Sequence, residues 1–360
     1  MTARLPSNLL DRSAPESSRL LALAFLHEIE VAQARLADPQ DAEALHDFRV
    51  GLRRLRSCIR AYRAPLKGSK TKQLEQRLRE LTEGTNAGRD TEVHLTWLRK
   101  QGEQLGPEDT QGVSWLIGRL EGRKYETRGS VTGGVGRQFL KTATKFRPRL
   151  ATLRIEVGAD HPEKNPSFGQ VTGELVQQHV TRLARDLERV HQAADIKEVH
   201  RARIGIKRLR YLLEPVARRV SGGRGLIARL KEAQDLLGTL HDVHLLSEEI
   251  ASSIAVFAGS PPDQVPGPLR GLRTLERIAR EEAVASYQAF EALWGGDRGR
   301  RLLMRADEIG QSLAKPSAKV GDGTPGLRLA GGRTAKAMAE VGAGRTGDAA
   351  ETMIVRQQER

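Results

Sequence analysis

One pattern of residues occurs twice in this chain. His46-Asp-Phe-Arg49-Val-Gly-Leu-Arg53-Arg54-Leu-Arg56 lines up with His200-Arg-Ala-Arg203-Ile-Gly-Ile-Lys207-Arg208-Leu-Arg210 at an offset of 154 residues. Further on, Arg89-Asp90 lines up with His241-Asp242, and there the two aspartates are 152 residues apart. Two segments that match at nearly one offset point to an internal duplication. The expected architecture is two similar halves related by a pseudo-twofold axis.

Each half reads as helices. Aromatics make up only 4% of the 360 residues, so the core must be aliphatic, which favours packed helices over β-sandwiches. Ser13 followed by Glu16 reads as a capped helix start, and Asp195 followed by Glu198 repeats the signal. Apolar periodicity predicts helices over residues 14–36, 40–64, 70–101 and 107–130. It predicts them again over 168–194, 195–219, 224–255 and 268–295. The fold class is therefore all-α, as duplicated four-helix bundles around a basic central surface. Residues 1–13 read as a flexible lead, 14–130 as the first helical half and 131–167 as a Gly- and Pro-bearing connector. Residues 168–314 read as the second half, and 315–360 as a disordered tail poor in apolar periodicity.

The repeated segment is amphipathic with an unusual polar face. At 100° per residue, His46, Arg49, Arg53, Arg56 and Arg60 fall within an arc of about 80°. Phe48, Leu52, Leu55, Ile59 and Tyr62 fill a second arc and supply the core side. The second copy sorts in the same way, with His200, Arg203, Lys207 and Arg210 opposed to Ala202, Ile206, Leu209, Leu213 and Val216. Solvated basic faces are usually laced with acids, but no Asp or Glu lies between Phe48 and Gly68 or between Val199 and Leu213. The like-charge pairs Arg49/Arg53, Arg56/Arg60 and Arg203/Lys207 each cost a few tenths of a kcal/mol. A stripe kept twice at that cost favours an anion-binding surface.

From His46 to Arg56 the helix rises about 15 Å, which suits a chain of phosphates better than one small anion. Arginine forks grip two oxygens at once, lysine adds point charge, and the histidines can donate in their charged form. The net charge of +14 agrees with a polyanionic partner, and on charge alone nucleic acid, anionic lipid and inorganic polyphosphate all qualify. Few aromatics argue against a binder that stacks bases on rings.

The His-x-x-Arg-[Val/Ile]-x-x-[Arg/Lys]-Arg-Leu-Arg pattern, present twice, resembles the CHAD family (conserved histidine α-helical domain). The match extends to Arg89-Asp90-Thr91-Glu92-Val93 and to Leu237-Gly238-Thr239-Leu240-His241-Asp242, and it covers about residues 14–295. The resemblance implies a double four-helix bundle that binds inorganic polyphosphate through its basic centre. By position, the implied binding residues are His46, Arg49, Arg53, Arg54, Arg56, Arg60 and Arg89, with His200, Arg203, Lys207, Arg208 and Arg210. Asn86 stands where the second half has Gly238, and His241 stands opposite Arg89. The family often carries a triphosphatase domain ahead of this fold; the expectation here is the helical module alone, without that activity.

Other chemistries find less support. His241 and His244 lack a clear third and fourth ligand for a metal. Cys58 lacks an evident base partner. The glycines near 129–136 lack the Gly-Lys-Ser/Thr ending of a P-loop. A polyphosphate-processing enzyme would need carboxylates to hold a metal, for which Asp90, Glu92 and Asp242 are the candidates. The expectation is a non-enzymatic polyphosphate-binding module, with no cofactor, metal or catalytic residues, that targets or organises polyphosphate granules. The alternative is a nucleic-acid-binding protein using the same stripes. One cysteine and no apolar run of roughly 20 residues make it cytoplasmic and free of membrane in this reading, with the oligomeric state open.

Overall fold

The computed structural model describes residues 5–38, 40–67, 70–152, 166–257 and 267–315, including every side chain but those of 42, 86–89 and 124–133. Nine α-helices order the described residues. They are α1 (Ala14–Arg35), α2 (Ala42–Ala61), α3 (Thr71–Gly102), α4 (Thr110–Ala151), α5 (Phe168–Leu187), α6 (Ile196–Leu213), α7 (Gly223–Ala255), α8 (Gly267–Trp294) and α9 (Gly296–Ala314). No β-strand occurs among them, apart from one isolated bridge between Ser13 and Ser167. No described helix is long and apolar enough to cross a membrane.

The packing follows the apolar arcs. α1 lies against α2 and α4, α2 against α3, and α3 against α4, which closes a four-helix bundle. In the second set α5 lies against α6 and α9, α6 against α7, and α7 against α8. The predicted core face of α2 is buried as expected: Phe48, Leu52, Leu55 and Ile59 have no exposed surface. So are Ala202, Ile206, Leu209 and Val216 of the second set. The two sets meet where α1 touches α5, α2 touches α6 and α4 touches α8. The Tyr62 hydroxyl bonds Thr172 Oγ1 at 2.9 Å, and its ring packs tilted against Phe168 with centroids 4.8 Å apart.

Several sequence expectations differ from the structure: α5 ends at Leu187 and α6 at Leu213, ahead of the predicted 194 and 219, and four further differences follow. The fourth helix does not stop at 130. α4 continues to Ala151, because Phe139, Ala143, Phe146 and Leu150 recur at helical spacing and are all buried. Their burial outweighs the cost of roughly 1 kcal/mol for each glycine in the 129–136 run. The matching helix of the second set is broken at Gly295, so a further helix, α9, follows α8. The lead is pinned rather than flexible over residues 5–13. Leu9 is fully buried, its carbonyl accepts from Ser17 Oγ, and the Arg12 carbonyl accepts from the Phe168 amide at 2.8 Å. Finally, Ser13 and Asp195 make no side-chain cap; Asp195 instead accepts from the His191 and Gln192 amides of the preceding turn. Asp41 does cap α2, accepting from the Ala44 amide at 2.9 Å. The proposed tail beyond 315 lies outside the described residues.

Candidate functional site

Because α2 and α6 present one arc to the core, their other polar positions meet across the contact between them. Arg53, Arg56 and Arg60 of α2 and Lys207 and Arg208 of α6 line one cleft of about 380 Å³. α5 adds His179 and Arg182. Leu21 and Phe25 from α1 and Leu175 from α5 add apolar surface to the lining. No aspartate or glutamate is among the lining residues. Cys58 is also part of this wall, and burial pushes its thiol above the usual range, away from nucleophile chemistry.

The cations sense burial and one another. Lys207 is pushed down to about 8 by burial and then by Arg203, Arg53, Arg208 and Arg56. Arg208 is lowered by burial and then by Arg60, Arg182 and Arg56, with Asp186 acting in the opposite sense. His179 is pushed down to about 4 by burial and by Arg208, Arg182 and Arg60. Such a cluster is costly when empty and gains by taking up an anion.

A second group continues from Lys207 toward the start of α6. Burial lowers Arg203, and Asp242 and Asp90 oppose the shift. The His200 and His241 rings lie 4.9 Å apart, and each has a buried Nδ1 with no hydrogen-bond partner among the described residues. His241 is pushed down to about 4 by burial, Arg203 and His200.

The remaining predicted residues lie elsewhere. Arg49 is only 6% exposed, and its Nε and Nη2 donate to the Thr85 carbonyl at 2.9 and 2.6 Å. It therefore ties α2 to α3 and does not line the cleft. Arg54 sits between two carboxylates, at 3.6 Å from Glu28 and 3.3 Å from Glu214. Arg210 donates to Glu214 and to Gln234 Oε1, and covers the Tyr211 ring at 4.6 Å. His46 is exposed near the start of α2, apart from the cleft-lining residues. The Arg89 side chain lies outside the described residues.

His179 and Arg182 were not legible as site residues. Their counterparts at the repeat offset are Phe25 and Glu28, so a search for a repeated cationic pattern passes over them. Their spacing of three on one helix face was the available signal. The two histidines of the His241-Asp242-Val243-His244 segment diverge, His241 onto His200 and His244 toward the Ala193 carbonyl.

A family model described as CHAD domain matches residues 21–251 of the chain. Among solved structures, the fold is similar to PptA from Streptomyces chartreusis, with 16% identity and a TM-score of 0.60, covering 79% of this chain and 100% of that one. It is also similar to the CHAD domain from the plant Ricinus communis, with 19% identity and a TM-score of 0.56, covering 84% of this chain and 95% of that one. No curated protein matches the chain.

Proposed function

The chain belongs to the CHAD domain family, and from that premise we propose that the cleft between α2 and α6 binds inorganic polyphosphate as a module without catalytic turnover. The observation that carries this reading is the lining itself: Arg53, Arg56, Arg60, His179, Arg182, Lys207 and Arg208 converge with no carboxylate among them. A chain of phosphates offers closely spaced oxygens to such a row, and arginine forks hold them in pairs. The apolar part of the lining lowers the local dielectric and strengthens each contact. Polyphosphate has no bases to read, so the scarcity of aromatic side chains costs the binder nothing. In a cell this binding would bring the protein to polyphosphate granules.

The test is competition. Labelled long-chain polyphosphate is loaded at about 0.15 M salt, where the Debye length is roughly 8 Å, and charge-matched double-stranded DNA is added. Polyphosphate that resists a large excess of DNA supports the reading. Displacement charge for charge makes the cleft a general polyanion surface and favours the nucleic-acid alternative.

A further inference from the structure

Residues that match at the repeat offset carry different charges near the α2–α6 contact. At the offset of 154, Arg54 answers to Arg208, Glu28 to Arg182, Phe25 to His179, and Arg60 to Glu214. Around Arg208 the neighbours are Arg60, Arg182 and Arg56, with Asp186 set against them. Around Arg54 they are Glu28 and Glu214, both within ion-pair distance. Arg210, the counterpart of Arg56, is also engaged by Glu214. The matched positions thus carry one cationic cluster and one neutralised by carboxylates.

The helix stripes diverge in the same sense. Arg49 is consumed by the Thr85 carbonyl. Its counterpart Arg203 keeps a buried Nε with no hydrogen-bond partner among the described residues, 3.8 Å from where a Cβ on Gly238 would stand. Beyond it, the Nδ1 atoms of His200 and His241 have no hydrogen-bond partner among the described residues. Arg56, Arg182, Lys207 and Arg208 form no ion pair among the described residues, while Arg60 lies 3.7 Å from Glu75.

We infer that a bound polyphosphate follows a single track, from Arg182 and Arg60 past Arg208 and Lys207 to Arg203 and His200. At the matched positions Arg49 is taken by the Thr85 carbonyl and Arg54 by Glu28 and Glu214, while Arg53, the counterpart of Lys207, lines the same cleft. This rests on the polyphosphate reading above and adds to it a one-sided site with one chain per protein. Glu28 and Glu214 are its specificity-determining residues, because they keep the second path from holding phosphate.

Matched variants at equivalent positions test it, with polyphosphate titrated as salt is varied and far-UV circular dichroism and melting checked for each. Arg208→Gln should weaken binding about tenfold and lower the salt slope by about one. Arg54→Gln should change affinity by no more than about twofold. The double variant Glu28→Gln/Glu214→Gln should open the second path and raise both affinity and salt slope. Equal losses in Arg208→Gln and Arg54→Gln, with the parent binding normally, would overturn the single track alone. So would a double variant that folds and binds as the parent does. A parent protein that does not bind polyphosphate would overturn the proposed function and the track together.

Discussion

At the scale of single residues, the same side chain does different work in the two copies of the motif. Arg49 is a clamp: its guanidinium holds the Thr85 carbonyl in the α2–α3 seam. Arg49→Ala should destabilise the fold by about 1–3 kcal/mol in urea unfolding, because a buried carbonyl loses its donor. Its polyphosphate affinity at 25 °C should stay close to that of the parent. Lys207 carries the opposite prediction. Burial and four arginines hold it down to about 8, and a bound polyanion restores its charged form. The protein should therefore take up close to one proton on binding at pH 9, read by calorimetry in two buffers of different ionisation enthalpy. Affinity should fall as pH rises above 8, and Lys207→Arg should remove both effects. His179 and His241 are held near 4, below the ordinary value of about 6.5. Their contribution to stability is fully present above about pH 6.5 and is lost as pH falls toward 4. Melting temperatures across that window should drop less in His179→Gln/His241→Gln than in the parent.

Among the elements, α2, α3 and α6 were readable because their apolar residues recur at helical spacing and their ends carry turn residues. The second half of α4 was not. Its glycines read as a connector, while the signal that won, Phe139, Ala143, Phe146 and Leu150, becomes decisive only when those residues find a core. The pinned lead was hidden for a related reason. Leu9 is an isolated apolar residue in sequence, and its burial depends on a contact with α1 that no local pattern announces. Two glycines do mark a crossing. A Cβ at Gly271 of α8 would overlap the Asp109 carbonyl oxygen, and one at Gly112 of α4 would overlap the backbone of α8. Gly271→Ala should cost about 1–3 kcal/mol in thermal unfolding. Gly118→Ala, in the same α4 but with nothing within 4 Å of its Cβ, should stabilise by about 0.5–1 kcal/mol.

For the molecule as a whole, the repeated sequence pattern made the all-α class and part of the candidate cleft legible. It pointed to Arg53, Arg56, Lys207 and Arg208, which the structure brings together in the lining of one cleft. It could not distinguish them from Arg54 and Arg49, because Glu28 on α1 and Thr85 on α3 reach those two from other helices, whereas the partner of Arg210, Glu214, stands four residues on at the end of the same helix. It also missed His179 and Arg182, which break the repeat. The central claim is that the α2–α6 cleft is the polyphosphate site. Its most direct test is a polyphosphate titration of the triple variant Arg56→Gln/Lys207→Gln/Arg208→Gln at about physiological salt, alongside its melting curve. The account predicts that binding disappears while cooperative melting is retained. A folded triple variant that binds within about threefold of the parent would contradict it, and would move the site to another face of the protein.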